Sequence, residues 1–492
     1  MRGRMLRPWD IKFSFEGNNA KTLHSKLLNC LVNDIKNGRL LPGSMLPGTR
    51  TLAKQLNINR KTVQYVYEEL EVQGWLKSKV RRGTFVAESL PEQTLSDADN
   101  KLVSSTVKTK APSDLTEELY IEALVQASCI TTTNDGTPDA RLIPYELLAR
   151  TYRRICVNLS RRSKLGYGDP RGALELRMSI QKMVSSDRYI NCSEQEICIV
   201  RGSQMGIYLA SRVLDPKNGA IIMEELCYAP AQATFEANGF KVLKCKLDKD
   251  GLNIDHLQEL IRDNKIAGIY VTPHHQYPTT VCLPMERRLA LLRLSKCYHL
   301  TIIEDDYDHE FHYETNPIPP LASLPNSENV VHIGSMSKVF APGLRLGYIV
   351  CGTEFIQRAA QEIVLIDRQG NTITEHVVSD LMEAGEVKRH IRKVRREYRQ
   401  RRDHTVNEFS RIFGSKISFD IPTGGLAIWV DISKMTKGKD LSDFKSNDSI
   451  LSTFFNNAQQ TPTHIRFGFG SIDKTEITYS IQSLYATLVD EK

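Results

Sequence analysis

The sequence lacks the features that define several classes of protein. No apolar run approaches the roughly 20 residues that a membrane span requires, and the N-terminal stretch lacks the apolar segment of a secretory signal. The 10 cysteines are scattered and form no Cys-x-x-Cys pair, so neither a zinc site nor a disulfide framework is indicated. We therefore expect a cytoplasmic protein with reduced thiols, no membrane partner and no bound metal.

The positive charge is concentrated at one end of the chain. All 492 residues together have a formal net charge of +7, and residues 1–88 contain 16 Lys and Arg against 7 Asp and Glu. This segment therefore has a net charge of +9, which leaves the remaining residues at −2. A local basic excess of this kind indicates a polyanionic partner.

The basic segment has the pattern of a winged helix-turn-helix. A helix is predicted at 21–38, two more at 51–56 and 60–73, and a two-stranded wing at 75–78 and 83–86. Asn59 is positioned to cap the third helix, whose apolar residues follow the helical spacing. The side chains predicted to face DNA are Arg60, Lys61, Thr62 and Gln64 on that helix, and Arg81 and Arg82 at the tip of the wing.

Four motifs of this segment resemble the GntR-type winged helix: LPGTRTLA at 46–53, NRKTV at 59–63, ELEVQGWL at 69–76 and GTFV at 83–86. The resemblance implies that double-stranded DNA is bound by Arg50, Arg60, Thr62 and the wing, which includes Thr84. We place this domain at 16–88. The Ser-, Thr-, Asp- and Lys-rich residues that follow show no sustained apolar period, which predicts a flexible linker at 89–118 and a second domain at 119–492.

Short apolar strands alternate with helical segments in the second domain. The strands are predicted at 196–200, 219–223, 266–271, 301–304 and 330–334. This alternation is typical of an α/β fold with a mostly parallel sheet, whose functional residues lie at the carboxyl ends of the strands.

Candidate chemistry follows these strands in one order. Lys338, in the motif SMSKVFAPGLRLG, offers an amine for a Schiff base with pyridoxal 5'-phosphate, and Arg345 offers a bidentate phosphate contact. Gly202 and Ser203 open a helix and form a phosphate turn, while Tyr228 could stack on a flat ring. Asp305 lies in a run of carboxylates, where it could pair with a protonated pyridine nitrogen.

A metal is the competing explanation for the carboxylates between 304 and 308. Only His309 and His312 lie near them in the sequence, so we do not predict a metal site. The basic run at 388–402 also has two interpretations. We favour a solvated helix packed on the second domain, because Val387, Ile391, Val394 and Tyr398 form an apolar stripe, and a second DNA-contacting surface is the alternative.

Taken together, the motifs of the second domain resemble the fold-type I, class I aminotransferases. The resemblance assigns Lys338 to the Schiff base, Asp305 to the ring nitrogen, Tyr307 to the ring hydroxyl and Tyr228 to stacking. It further implies a phosphate site made of Gly202, Ser203, Gln204, Ser335 and Arg345, completed by Tyr167 of the partner subunit in a homodimer. Arg466, in HIRFG at 464–468, corresponds to the residue that binds the substrate carboxylate.

A winged helix, a linker and an aminotransferase-like domain in this order resemble the MocR-type transcriptional regulators. The resemblance implies a regulator whose DNA-binding heads respond to a small amino compound sensed at Lys338. Two alternatives stay open from the sequence. One is a sensor of pyridoxal phosphate itself that regulates vitamin B6 genes, and the other is an active aminotransferase with an appended DNA-binding domain.

Overall fold

The computed structural model describes residues 22–79, 83–91, 136–162, 165–314, 317–336, 338–436, 453–456 and 462–489. The chain forms two compact units, Met1–Ala111 and Pro112–Lys492. Arg81, Arg82 and most of the expected linker lie outside the described residues. Among the helices described, none is both long enough and apolar enough to cross a membrane.

The first unit consists of α1 (Leu23–Lys36), α2 (Thr49–Leu56), α3 (Arg60–Val72), β1 (Leu76–Lys79) and β2 (Gly83–Val86). The expected helix-turn-helix and wing are present, with ends that differ by one or two residues. The helix α2 begins at Thr49 rather than residue 51, because Gly48 before it is already extended and acts as the N-cap. The core consists of apolar side chains from all three helices and the wing: Leu27, Leu31, Leu52, Val63, Val66, Leu70 and Val86.

Two hydrogen bonds orient the third helix. The Asn59 side chain accepts from the Lys61 amide at 2.9 Å and caps α3, as its position in the sequence predicts. The buried Tyr67 hydroxyl donates to the Pro47 carbonyl at 2.9 Å and so ties α3 to the turn before α2. The wing strands β1 and β2 pair antiparallel, from Leu76 opposite Val86 to Lys79 opposite Gly83.

The second unit alternates helices and strands over its first two thirds. In chain order these are α4 (Tyr145–Arg161), α5 (Leu174–Arg188), β3 (Ile197–Val200), α6 (Ser203–Val213), β4 (Ala220–Glu224), α7 (Ala229–Ala237), β5 (Val242–Cys245), β6 (Leu247–Asp248), β7 (Gly251–Leu252), α8 (Ile254–Asp263), β8 (Ile266–Val271), α9 (Met285–Tyr298), β9 (Thr301–Asp306), β10 (Val330–Ser335), β11 (Gly347–Val350) and α10 (Thr353–Ile366). The remainder contains α11 (Thr372–Glu383), α12 (Glu386–Phe413), β12 (Ser418–Phe419), β13 (Ala427–Asp431), α13 (Ser433–Thr436), β14 (Thr453–Asn456), β15 (Pro462–Gly468) and α14 (Lys474–Val489).

The central sheet of the described residues has the strand order β3-β11-β10-β9-β8-β4-β5. Strands β10, β9, β8, β4 and β5 pair in parallel, as the alternating pattern predicts. The sequence interpretation missed β5 and β11. Strand β11 is antiparallel to both β3 and β10, so the chain reverses direction immediately after β10. Lys338 lies in that reversal.

The smaller sheet, β12-β13-β15-β14, is antiparallel and packs with α12 and α14. The apolar stripe of α12 is buried, which agrees with a helix packed on the domain. Two of its basic residues are also buried, contrary to a fully solvated charge run. Arg401 contacts Asp139 at 2.9 Å, and Arg402 contacts Glu314 at 2.9 Å.

Candidate functional site

A cavity lies where β8, β9 and β10 end, at the edge of the sheet where parallel strands present their functional residues. Its lining combines one lysine, one arginine, one carboxylate and four tyrosines: Ser203, Tyr228, Tyr270, Thr272, Tyr277, Asp305, Tyr307, Lys338 and Arg466. Six of these nine residues are among the site residues that the sequence predicts. They come from segments more than 250 residues apart in the chain, from 203 to 466.

Lys338 enters this cavity from the turn between β10 and β11. Its side chain is partly buried, and Nζ donates a hydrogen bond to the Gly136 carbonyl at 2.8 Å. This bond holds the amine close to the cavity wall. A lysine in this setting can react with a carbonyl group once it loses its proton.

Asp305 provides the carboxylate at the base of the cavity. Its Oδ2 accepts a hydrogen bond from the Tyr270 hydroxyl at 2.8 Å, while its Oδ1 is buried and has no hydrogen-bond partner among the described residues. Burial raises the pKa of Asp305 to about 7, against the lowering effect of the Tyr270 hydrogen bond. A buried carboxylate oxygen without a donor is a site where a protonated ring nitrogen would be stabilised.

Tyrosines form the walls beside this carboxylate. Tyr228 and Tyr277 meet edge to face with ring centroids 5.5 Å apart, an arrangement that leaves flat surfaces for a ring. The Tyr307 hydroxyl donates to the His275 carbonyl at 2.9 Å. Its side chain thus lies in the cavity with its hydroxyl engaged by the loop that follows β8.

The phosphate turn lies at the N-terminus of α6. Gly202 has φ +81°, and a Cβ atom there would lie 3.0 Å from the Arg345 guanidinium, so glycine leaves room for that group. Arg345 donates to the Arg201 carbonyl at 2.8 Å and lines a neighbouring cavity of about 720 Å³. The backbone N–H groups at the start of α6 and the Arg345 guanidinium beside them are suited to binding an anion.

The two other predicted phosphate residues lie near this turn. Gln204 is the second residue of α6, and its amide nitrogen donates to the Thr234 hydroxyl at 2.8 Å, which directs that nitrogen toward α7. Its Oε1 is buried and has no hydrogen-bond partner in the part of the chain that the structure describes. Ser335 ends β10 and is buried. Neither residue is part of the lining of the cavity that contains Lys338.

Arg466 lies on β15 and lines the cavity. It is 2% exposed, donates to the Pro278 carbonyl at 2.7 Å and has its guanidinium 4.9 Å from the centre of the Tyr277 ring. The planar fork of an arginine can bind a carboxylate through two parallel hydrogen bonds.

Tyr167 is not brought into the cavity of its own chain. It is 80% exposed, and the Arg368 guanidinium lies 4.7 Å from the centre of its ring. The predicted role for this residue requires a partner subunit, and it stays a prediction.

Six of the predicted DNA-contacting residues lie in the described part of the first unit. Arg50 lies on α2, and Arg60, Lys61 and Gln64 lie on α3, all with exposed side chains, whereas Thr62 on α3 and Thr84 on β2 are partly buried. Arg60 Nε lies 3.5 Å from the Thr49 hydroxyl, and Gln64 donates to Glu68 at 3.0 Å. Helix α3 therefore presents two cations and an amide to solvent at its N-terminal end.

The sequence interpretation did not single out Tyr270, Thr272 or Tyr277 as site residues. Tyr270 lies inside an apolar strand, where a tyrosine is indistinguishable from a core residue until its hydroxyl partner is known. Thr272 and Tyr277 belong to the polar turn that follows β8. Their position directly after β8 is the signal that could have identified them.

Together, this fold and this cavity define an aminotransferase-like domain preceded by a winged helix-turn-helix. Comparisons with known families agree with both parts. Residues 136–484 match the family described as Aminotransferase class I and II, and residues 24–86 match the family described as Bacterial regulatory proteins, gntR family. The chain belongs to the class I and II aminotransferase family, and its N-terminal unit is a GntR-type DNA-binding domain.

Relatives with both domains are helix-turn-helix transcriptional regulators. The chain is 26% identical over 471 residues to the uncharacterized HTH-type transcriptional regulator YdeL of Bacillus subtilis, covering 94% of this chain and 96% of the relative. It is also 26% identical over 409 residues to the probable rhizopine catabolism regulatory protein MocR of Rhizobium meliloti, covering 82% and 81%.

Among solved structures, an archaeal alanine:glyoxylate aminotransferase superposes with a TM-score of 0.67 at 24% identity. The match covers 75% of this chain and 93% of that enzyme. This likeness establishes the fold of the second unit. Aminotransferases of this class depend on pyridoxal phosphate.

Proposed function

We propose that this protein is a pyridoxal phosphate-dependent transcriptional regulator whose winged-helix heads are controlled by a small amino compound sensed at Lys338. The observation that carries the proposal is the convergence of Lys338, Asp305 and Arg466 on one cavity, in a chain that also has a GntR-type DNA-binding unit. An amine, a carboxylate and a guanidinium in one small space match the groups of an amino acid bound to this cofactor.

The residues of the cavity fit the cofactor. The unpartnered Asp305 Oδ1 is suited to the ring nitrogen, Lys338 to covalent attachment, Tyr307 to the ring hydroxyl and Tyr228 to the face of the ring. Gly202, Ser203, Gln204, Ser335 and Arg345 would hold the phosphate. When bound, pyridoxal 5'-phosphate supplies an aldehyde that reacts with primary amines.

Arg466 gives the cavity its selectivity for acids. Its guanidinium donates to the Pro278 carbonyl within the cavity lining, and the five N–H groups of an arginine form a planar fork that matches the two oxygens of a carboxylate. A ligand carboxylate there would form charge-assisted hydrogen bonds in a site that is 2% exposed. Compounds with both an amine and a carboxylate are therefore the effectors that this geometry favours.

A homodimer is the assembly that completes this site. Val364, Leu365 and Ile366 at the end of α10 are 45%, 77% and 46% exposed, an apolar run that a single chain leaves in water. Tyr167 is also exposed, and it belongs to the same resemblance that predicts a phosphate contact across subunits. Pairing of two chains would also bring two winged helices to one operator, which suits DNA with two half-sites.

The Lys338→Ala variant tests the proposal. Purified with pyridoxal phosphate, the wild-type protein is expected to show the visible absorbance of a lysine-bound cofactor, and the variant is not. The variant is also expected to bind operator DNA with an affinity that no amine alters. The control is Lys182→Ala, an exposed lysine of α5 paired with Glu383. An unchanged spectrum in Lys338→Ala would refute the assignment.

Transamination is the second candidate function, and Arg466 is the observation that favours it. A chain that sensed only pyridoxal phosphate would not require a buried arginine that binds a ligand carboxylate. Steady conversion of an amino donor and a keto acceptor, at a rate unaffected by deleting residues 1–118, would support a working enzyme. DNA binding that depends on the cofactor and shows no spectral response to any amine would instead favour a sensor of pyridoxal phosphate itself.

A further inference from the structure

A second cluster of polar side chains lies on the other side of β9 from the cavity. Successive residues of a strand point to opposite faces, so Asp306 faces away from the side on which Asp305 lines the cavity. There Asp306 meets two histidines, His274 from the loop after β8 and His309 from the loop after β9. These three residues are between 2% and 5% exposed.

The ligating atoms of this cluster converge. One ligating atom from each of His274, Asp306 and His309 lies within 4.8 Å of the other two. The two imidazole rings are 4.6 Å apart between centroids and tilted by 38°. His309 Nδ1 lies 3.1 Å from Asp306 Oδ2, close enough for an ion pair.

Three of these buried atoms have no hydrogen-bond partner within the described chain: His274 Nδ1, His309 Nε2 and Asp306 Oδ1. Buried polar atoms are nearly always paired, so a concentration of unpaired nitrogens and oxygens at one point requires an explanation. Two imidazole nitrogens and a carboxylate oxygen are the ligands that first-row divalent transition metals prefer, Zn²⁺ among them.

The surrounding charges are compatible with a cation. Arg188 approaches Asp306 at 3.4 Å and contacts Glu310 at 2.6 Å, so this cation is matched by two carboxylates. His332 lies 3.9 Å from the same Asp306 oxygen and hydrogen bonds to Glu304 at 2.9 Å. The Asp306 Oδ1 atom remains for a ligand while Oδ2 faces Arg188.

We propose that His274, Asp306 and His309 form a buried binding site for a divalent transition metal, with Zn²⁺ as the probe. This proposal revises the expectation of no metal. That expectation considered His309 and His312, but His312 hydrogen bonds to the His309 carbonyl and to Arg395. The second histidine of the cluster is His274, which comes from another loop.

The metal would join the two segments that carry the walls of the effector cavity. The loop with His274 also contributes Thr272 and Tyr277, while Asp306 separates Asp305 from Tyr307. Three bonds to one ion would hold these segments in a fixed relation without touching the cofactor. The role is one of positioning and stability, because none of the three ligands lines the cavity.

Metal analysis of untagged full-length protein, purified without chelator, is the test. We expect about one equivalent of zinc per chain in the wild type, and background levels in His274→Asn and His309→Asn. The matched control is His256→Asn, a histidine of α8 whose Nδ1 accepts from the Lys246 amide, and it is expected to keep the metal.

A thermal measurement covers the case in which a variant folds poorly. Zinc added to chelator-treated, dialysed wild type is expected to raise the unfolding temperature, and to have no such effect on His309→Asn. Wild type with background metal and no thermal response to zinc would overturn the proposal and indicate buried water or a protonated His309–Asp306 pair. Neither readout requires an amine or DNA, so this result is independent of the proposed regulatory function.

Discussion

Glu224 at the end of β4 offers a quantitative test of the electrostatics around the cavity. Its carboxylate is 3% exposed and accepts a hydrogen bond from the Thr272 hydroxyl at 3.2 Å. Burial raises its pKa to about 7, against the lowering effects of the hydrogen bonds from Gln276 and Thr272. The folded chain therefore holds a proton on Glu224 at pH values where the unfolded chain has already released it.

The sign of the effect follows from this difference. A carboxyl whose pKa is raised in the folded state contributes stability below its unfolded pKa, and that contribution is lost as the pH rises through the folded value. Glutamine mimics the protonated form and does not ionise. Relative to wild type, Glu224→Gln should therefore gain about 1 kcal/mol near pH 5 and about 3 kcal/mol near pH 8.

Thermal unfolding of the cofactor-free protein at both pH values measures this gain. For a second unit that spans Pro112–Lys492, 3 kcal/mol corresponds to an increase of roughly 4 °C in the unfolding temperature. Thr272→Val provides a control, because it removes the hydrogen bond without removing the charge. If the difference between Glu224→Gln and wild type were the same at both pH values, Glu224 would not be protonated in the folded chain.

Three further outcomes are expected. Arg60→Ala should reduce the slope of log affinity for DNA against log salt concentration by about 0.9, because one phosphate contact is lost. Lys182→Ala should leave the slope unchanged. Equal slopes for Arg60→Ala and wild type would locate the contacts elsewhere. Tyr67→Phe removes the donor to the Pro47 carbonyl and should lower the free energy of unfolding of the first unit by about 1 kcal/mol. Calorimetry should then show an unfolding temperature that is roughly 5 °C lower. No change would mean that this bond is not formed in solution. Leu365→Asp should shift the mass measured by light scattering from dimer to monomer, while Leu289→Asp on α9 should not, and a dimeric Leu365→Asp would exclude this face.

Most of the fold could be predicted because its elements have strong local signals. The cap at Asn59 and the β-branched runs of the parallel strands are properties of neighbouring residues, and they appear in the structure close to the expected positions. Strand β11 was missed because it follows β10 after a short reversal and not after a helix, so the alternation of strands and helices gives no position for it.

The site could be predicted only in part. Lys338, Asp305 and Arg466 belong to recognisable motifs, and the structure brings them to one cavity. Tyr270 could not be assigned a role, because its bond to Asp305 depends on the pairing of β8 with β9. The same is true of His274 and His309, whose proximity arises from two loops that the sheet brings together.

The central claim is that chemistry at Lys338 controls DNA binding. The most direct measurement is the affinity of the cofactor-loaded protein for the DNA flanking its own gene, titrated with a panel of amino acids and other amines while absorbance is recorded. We predict that at least one amine changes the spectrum and the affinity over the same concentration range, and that Lys338→Ala shows neither response. An affinity that stays constant while an amine changes the spectrum would contradict the account.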